Sequence, residues 1–243
     1  MNITWLGESG FLLEDDRYSI LIDPYFTDSL GEKYPEKCRL LPVNPEWLKR
    51  SYDLALFSHC HIDHADPATI RKLNQTSPRL LLAGPPSVRK TLGKQPFFFE
   101  LFPKGCVDFG DFHIRALPAV HSDCYALGYE IVHKGRKLYF SGDTALLCDL
   151  AKRVSQKPDI AFLCFNAGVG KNMNEEDAVK LASLLGAQCV IPFHYGLLPG
   201  GTTPEHFCRL LSEKGINWYL PAYGECFSID SVSVKKKDAN SPK

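Results

Sequence analysis

The stretch His59-Cys60-His61-Ile62-Asp63-His64 places three imidazoles and one carboxylate within six consecutive residues. The apolar run before it, residues 53–58, predicts a buried strand. In an extended segment alternate side chains point the same way, so His59 and His61 can bind one divalent cation together. Asp63 and His64 then remain for a second cation. A polar surface loop would explain any one of these histidines, but it does not explain their density.

The ligand stretch lies in a predicted loop between that strand and a helix. Asp66 is a predicted N-cap, and Pro67 is the predicted first residue of a helix that runs to about Leu73. Cys60 projects, in an extended segment, to the side opposite its two histidine neighbours, and we interpret it as a packing residue. Because loops held by rigid elements commonly carry function, this position favours a functional site.

Three further candidate ligands directly follow predicted strands or lie just beyond them. His121 follows residues 112–120, Asp143 comes shortly after residues 137–141, and His194 follows residues 188–193. Each of these residues alone is more typical of a turn or a cap than of a metal ligand. Gly142, next to Asp143, allows a close approach of the backbone to an ion. Since strand ends commonly open onto one rim, their recurrence there favours a shared site.

The other patterns predict a strand-rich first part and an alternating last third. Predicted strands cover residues 3–6, 10–14, 18–23, 79–83, 97–102, 126–133 and 159–165, with short strands near Trp218 and Phe227. Predicted helices cover residues 45–50, 175–185 after the cap Asn174, and 204–214. This mixture predicts sheets covered by helices in one domain, residues 1–230. A polar tail, residues 231–243 with Lys235, Lys236 and Lys237, is predicted to be solvated and disordered.

Composition limits the classes of function. The 243 residues include 28 basic and 28 acidic side chains, so the formal net charge is zero and no overall field attracts nucleic acid or an anionic membrane. The apolar runs are too short to cross a bilayer. The nine cysteines form no C-x-x-C pair, and a disulfide framework is not expected. We therefore expect a cytoplasmic protein without a nucleic-acid or membrane partner, and the sequence leaves homo-oligomer formation open.

The chain resembles the metallo-β-lactamase superfamily, whose signature is H-x-H-x-D-H followed by a distant His, a distant Asp and a final His. Flanking segments also match: Ile22-Asp23-Pro24, Ser141-Gly142-Asp143-Thr144 and Pro192-Phe193-His194-Tyr195. Within the superfamily it looks most like the branch of L-ascorbate-6-phosphate lactonase, on the segments 126–129 and 172–178. The resemblance implies an α+β fold, a four-layer αββα sandwich with a metal pair at one edge.

The resemblance also implies a role for each ligand. His59, His61 and His121 are expected to hold the first metal, Asp63, His64 and His194 the second, and Asp143 is expected to bridge the two. The cofactors implied are two divalent ions, manganese or zinc, with iron also compatible with such ligands. His113, His133 and His206 match no ligand position, and we interpret them as residues of a strand or of a helix surface.

The expected reaction is hydrolysis of a small molecule. Two divalent ions, two aspartates and one hydroxide leave about one net positive charge, which favours an anionic, phosphorylated lactone or ester. A metal-bound hydroxide, which forms near neutral pH, is the expected nucleophile, and Asp63 is expected to orient it as a catalytic residue. Asn166, Lys171 and Tyr195 are candidate substrate-binding residues. Asn166 and Lys171 are the first and last residues of a glycine-rich loop. This loop is a weak match to an anion-binding loop.

Three other functions remain open on sequence grounds. The same ligand set suits a phosphodiesterase for small phosphodiesters, whereas the neutral charge disfavours polynucleotides. Iron in the site would allow redox chemistry, although the chain length leaves no room for a flavin domain. A non-catalytic binding protein is disfavoured, because a site without chemistry has no physical reason to keep charged groups buried together.

Overall fold

Two β-sheets face each other and carry helices on their outer faces. The computed structural model describes residues 1–147, 149–155, 157–166 and 171–234. Within those ranges the first sheet has seven strands: β1 (Asn2–Gly7), β2 (Gly10–Glu14), β3 (Ser19–Ile22), β4 (Leu54–Leu56), β5 (Leu81–Gly84), β6 (Phe98–Glu100) and β13 (Cys226–Ser228). The second has six: β7 (Cys106–Phe109), β8 (Phe112–Pro118), β9 (Leu127–His133), β10 (Arg136–Phe140), β11 (Ile160–Cys164) and β12 (Cys189–Phe193).

The helices are short, and several have identifiable caps. They are α1 (Ser29–Lys33), α2 (Pro67–Thr76), α3 (Pro86–Leu92), α4 (Leu150–Arg153), α5 (Glu175–Leu185), α6 (Pro204–Glu213) and α7 (Ile229–Val234), with single 3-10 turns at Pro35–Lys37 and Pro45–Leu48. Asp66 accepts hydrogen bonds from the backbone amides of Ala68 and Thr69, which fixes the start of α2 beside the ligand stretch. Asn174 caps α5 in the same way, and Gly186 ends it in a left-handed conformation.

Side-chain alternation in the first sheet separates two apolar layers. Phe11, Ile22 and Leu56 point toward the second sheet and belong to the central core, whereas Leu21 and Ala55 point outward to the layer that α2 and α3 cover. This alternation is what a strand with a period of two residues imposes when both faces are buried. The α+β sandwich expected from the sequence is therefore confirmed.

An aromatic cluster joins the two sheets at the centre of the core. The ring of Phe11 on β2 lies 4.6 Å from that of Phe162 on β11, and 6.2 Å from those of Phe140 and Phe193. Phe140 and Phe193 in turn stack at 4.7 Å. Phe193 precedes the candidate ligand His194, and Phe140 lies three residues before Asp143. The cluster thus anchors the strand ends that carry the site.

Strand direction brings the carboxyl ends of most strands to one edge of their sheet. β1 and β3 are both antiparallel to β2, and β4 is parallel to β3, so β1, β3 and β4 run the same way. In the second sheet β10, β11 and β12 are parallel, and β8 shares their direction because both β8 and β10 are antiparallel to β9. The carboxyl ends of strands that run in the same direction in a sheet lie at the same edge, which is where ligands bind in many such sheets.

Some elements differ from the sequence prediction. Helices α1, α3 and α4 and strand β7 were not predicted, and all are seven residues or shorter. No strand forms near Trp218, which makes an isolated bridge to Val190 instead. Helix α7 extends past residue 231, so the first residues of the predicted disordered tail are helical, while residues 235–243 lie outside the described ranges. Within the described part of the chain, no helix is long and apolar enough to cross a membrane.

Candidate metal centre

Three imidazoles meet at the first candidate site. The Nδ1 atom of His61 lies 2.9 Å from Nε2 of His59 and 3.2 Å from Nε2 of His121. His59 and His61 come from the loop after β4, and His121 comes from the segment after β8, so both sheets contribute. Zn–N bonds of about 2.0–2.1 Å in a tetrahedral site place neighbouring ligand nitrogens about 3.3 Å apart. The three nitrogens therefore fit around one cation.

A second ligand group lies beside the first. His64 and His194 face each other with their Nε2 atoms 3.3 Å apart, and Asp63 Oδ2 lies 3.7 Å from the former and 3.6 Å from the latter. His194 follows β12 with a backbone φ of 69°, a left-handed conformation that a non-glycine residue rarely adopts. The ligand atoms of these three residues all lie within 4.8 Å of one another, as those of the first group do.

Asp143 lies between the two groups. Its Oδ2 atom is 3.1 Å from Nε2 of His194, 3.7 Å from Nε2 of His64 and 3.9 Å from Nε2 of His121. The carboxylate is 2% exposed, and among the described residues its Oδ1 atom has no hydrogen-bond partner. A buried carboxylate oxygen without a partner is costly, and a bound cation would satisfy it. Seven candidate ligand groups thus meet at one rim, and their chemistry and spacing suit metal binding.

Buried carboxylates orient two of the imidazoles. Asp23 Oδ2 lies 2.9 Å from Nδ1 of His64, and Glu8 Oε1 lies 2.7 Å from Nδ1 of His194. Both acids lie just beyond strands of the first sheet, and both have positive φ, 44° for Asp23 and 49° for Glu8. A carboxylate on Nδ1 fixes the ring and leaves Nε2 free for a metal. The strained backbone is concentrated here, in agreement with a functional role.

Hydroxyl and amide groups extend this network. Ser58 donates its backbone N–H to Asp23 Oδ1 at 2.7 Å, and its Oγ lies 2.9 Å from Nδ1 of His59. Asn172 donates from Nδ2 to both Asp143 Oδ2 and Asn166 Oδ1, each at 2.8 Å. His59 and Asp143 are thus each contacted by a polar side chain that is not itself a ligand candidate.

The electrostatics of the site require positive charge. Burial lowers the pKa of His121 to about 4 and that of His59 well below its ordinary value. Burial acts the same way on His64, but Asp143, Asp63 and Asp23 outweigh it and raise the pKa of His64 to about 9. Without a cation the carboxylates therefore hold a proton on His64. Since imidazole binds metal in its neutral form, a cation displaces that proton.

The metal centre forms the floor of a pocket of about 500 Å³. Its walls combine ligands with an apolar and a basic segment, and they include Leu30, Lys33, Tyr34, Lys37, Ile62, Leu198, Pro199, Gly200 and Gly201. This volume is that of a small-molecule site. The chain segment that carries Lys33 and Lys37, residues 25–45, gave no regular pattern in the sequence.

The three predicted substrate-binding residues have different positions. Asn166 lines the pocket and also contacts the ligand candidate His194, with its Nδ2 2.6 Å from Nδ1 of His194. Tyr195 lines the pocket while its ring stacks on Trp5 at 4.8 Å, and its hydroxyl has no partner among the described residues. Lys171 is exposed and is not one of the described pocket residues. The rest of the predicted anion-binding loop, residues 167–170, lies outside the described residues.

Sequence reasoning missed Glu8, Ser58, Asn172, Lys33 and Lys37. Glu8 follows β1, and a polar residue at a strand end was the same signal that identified His121 and His194. Only the direction of β1, which is known once the strand pairing is known, places Glu8 at the edge of the sheet that carries the metal ligands.

Cys60, predicted to pack, contacts the apolar layer under the ligand loop, and burial raises the pKa of its thiol to about 11.

We expect Asp23→Asn to weaken metal binding about 10- to 100-fold, the usual effect of losing a partner of a metal-bound histidine. The amide would present an N–H to Nδ1 of His64 and so favour the wrong tautomer. Competition with a chromophoric chelator measures the affinity. Asp53→Asn is the matched control, because Asp53 likewise accepts backbone and hydroxyl hydrogen bonds, from Ser19, but at the opposite end of β4. Equal affinities for both variants and the wild type would contradict the orienting role.

Comparison with known proteins agrees with this geometry. The family model for the Beta-lactamase superfamily domain matches residues 2–194, which include all seven ligand candidates. The chain belongs to the metallo-β-lactamase superfamily. Among its relatives, a UPF0173 metal-dependent hydrolase of Oenococcus oeni is 30% identical over 237 residues, covering 87% of this chain and 93% of the relative. Another, from Thermoplasma acidophilum, is 28% identical and covers 91% and 95%. The protein is thus a metal-dependent hydrolase of the UPF0173 family.

Solved structures of more distantly related proteins share the fold of this chain. A metallo hydrolase from Ignicoccus hospitalis aligns with a TM-score of 0.76 at 24% identity, covering 93% of this chain and 98% of that one. An isothiocyanate hydrolase from Delia radicum gut bacteria aligns with a TM-score of 0.73 at 20% identity, covering 94% and 99%. At these identities the likeness concerns the metallo-β-lactamase fold. The structural matches support the fold alone, and the ascorbate-6-phosphate lactonase branch remains an expectation.

Proposed function

We propose that this hydrolase is binuclear and cleaves small anionic esters or lactones. One observation carries the proposal: two ligand groups, His59–His61–His121 and Asp63–His64–His194, lie on either side of Asp143 in one pocket. The first group would hold one divalent ion and the second another, with Asp143 reaching both. Manganese and zinc are the proposed metals, and iron suits the same ligands.

Bound divalent ions would lower the pKa of water and polarise the carbonyl or leaving oxygen of a substrate. The residues of the chain supply position and proton transfer. The Asp63 side chain is 15% exposed, whereas that of Asp143 is 2% exposed, so Asp63 is the more accessible of the two ligand carboxylates that line the pocket. It can accept a hydrogen bond from the attacking water and direct the water toward the substrate.

The pocket supports a small and negatively charged substrate. Its volume of about 500 Å³ admits a molecule of metabolite size rather than a polymer chain. The protein has no net charge that would attract a polynucleotide. A phosphorylated lactone remains the proposed substrate, in line with the resemblance to the lactonase branch.

A substrate panel tests the proposal. Protein purified without chelators is analysed for metal content, loaded with manganese or zinc, and assayed against neutral and anionic lactones, aryl esters and an isothiocyanate. We expect hydrolysis of an anionic lactone or ester, two ions per chain, and loss of activity on removal of the metal. Hydrolysis of bis-p-nitrophenyl phosphate alone would indicate a phosphodiesterase instead. Oxygen uptake only in the iron-loaded form would indicate an oxidase, and a chain that binds no divalent ion at micromolar concentration would contradict the proposal.

A further inference from the structure

A basic segment lies at the mouth of the metal pocket. Lys33 ends α1, Tyr34 follows it, and Lys37 ends the next 3-10 turn; we call these three residues the basic lip. All three are exposed and all three line the pocket. The ammonium groups lie 5.1 Å (Lys33) and 5.6 Å (Lys37) from the centre of the Tyr34 ring. The ammonium groups of both lysines thus lie close to one aromatic ring at the pocket entrance.

The charge of the lip is directed at the pocket. Glu32 and Glu36, which are adjacent in the sequence, are not among the described pocket residues, so the lip contributes basic but no acidic side chains to the lining. The carboxylates that line the pocket, Glu8, Asp63 and Asp143, all contact candidate metal ligands. They are therefore committed to the metal centre rather than to the lip.

The two lip lysines also lack counter-ions. Like most of the described lysines, and unlike Lys49 and Lys134, Lys33 and Lys37 form no ion pair with an acidic side chain of the described residues. Two ammonium groups around one ring repel each other, and an anion between them removes that repulsion. A cation over an aromatic face keeps its direction without losing its charge. The arrangement is suited to an anion that the chain itself does not provide.

We infer that the basic lip binds a phosphate or carboxylate of the substrate, while the ester or lactone bond lies at the metal centre. The inference rests on the proposed hydrolase function and deepens it, because it specifies a substrate with an anionic group separate from the bond that is cleaved. Leu30 and Ile62 line the pocket together with the lip and would contact the connecting carbon atoms. The substrate is thus a small anionic ester with an apolar middle.

Three phenyl esters with one leaving group test this inference. Phenyl acetate is neutral, monophenyl succinate carries a carboxylate, and the phenyl ester of phosphoglycolic acid carries a phosphate. In the Lys33→Ala/Lys37→Ala double variant we expect the KM of the anionic esters to rise about tenfold, since each exposed ion pair contributes a few-fold. The kcat values and all constants for phenyl acetate should stay unchanged. A larger rise for the phosphate ester would identify phosphate as the preferred group, and a larger rise for the succinate ester a carboxylate.

Two variants control for charge and location. Lys33→Arg/Lys37→Arg keeps both charges and should raise the KM of the anionic esters clearly less than the double alanine variant does. Lys180→Ala removes an exposed lysine of α5 outside the pocket and should change nothing. High salt should reduce the wild-type preference for anionic esters and have little effect in the double alanine variant.

A binding measurement separates this inference from the proposed function. Calorimetry with succinate and with phosphoglycolate needs no turnover, and we expect the Kd of at least one of them to rise about tenfold in the double alanine variant. If no ester or lactone is hydrolysed, the proposed function fails, and the Kd values still decide the role of the lip. Unchanged Kd and KM values would overturn the inference, as would a loss of anion binding in Lys171→Ala but not in the lip variant.

Discussion

Replacing Asp143 by alanine is expected to lower kcat/KM by about 10³-fold or more and to reduce the metal content below two ions per chain. Its carboxylate lies within 4 Å of histidines from both ligand sets. Removing a partner outside the ligand shell costs about 10- to 100-fold, so removal of a shared ligand should cost more. Elemental analysis after dialysis gives the stoichiometry, and steady-state kinetics on the best substrate of the panel gives the rate.

Asp108→Ala is the control for this variant. Asp108 lies on β7, at the far side of the second sheet, and its ion pair with His113 is exposed. Its loss should leave metal content and kcat/KM at the wild-type level. An Asp143→Ala protein that still held two ions and turned over normally would rule out a bridging role for this carboxylate.

Phe11→Ala is expected to lower the free energy of unfolding by about 3–5 kcal/mol, the range for phenylalanine deletions in well-packed cores. The side chain is 0% exposed and contacts rings from three strands of the opposite sheet. The resulting cavity would lie behind the strand ends that carry Asp143 and His194. Urea unfolding of the metal-free protein, followed by circular dichroism, gives the difference.

Two other variants calibrate that measurement. Phe11→Leu keeps most of the volume and should lose clearly less than the alanine variant. Phe99→Ala removes a ring that is 54% exposed on the edge strand β6 and should shift the free energy by no more than about 0.5 kcal/mol. If Phe11→Ala and Phe99→Ala were equally stable, the aromatic cluster would not be the contact that joins the sheets.

The ligand set could be predicted because its chemistry is local in the sequence. Potential metal ligands are so dense in the run from His59 to His64 that the sequence alone indicates a metal site. His121 and His194 directly follow predicted strands. The structure brings all seven predicted ligands together. The long strands and capped helices were predictable for a similar reason, since Asn174 and Asp66 carry their capping signal within a few residues.

The missed features depend on contacts distant in the sequence. Glu8 reaches His194 only because β1, in the first sheet, and β12, in the second sheet, end on the same side of the sandwich. Lys33 and Lys37 lie in a segment with no periodic pattern, and its path follows from packing against other loops. Asn166 was expected to hold substrate, whereas its amide contacts His194, a pairing that no local motif encodes. Helices as short as α1 and α4 have too few residues to show a period.

The ligands come from loops that follow strands of both sheets, and this has a consequence for how the protein is made. His59 is synthesised early. The first ligand group is complete only after β8 has been synthesised, because His121 follows it, and the second only after β12, because His194 follows it. The complete site, with both ligand groups, therefore exists only after residue 194 has been synthesised. A chain truncated before residue 194 would lack one of the three ligands of the second group, even if its first half had folded.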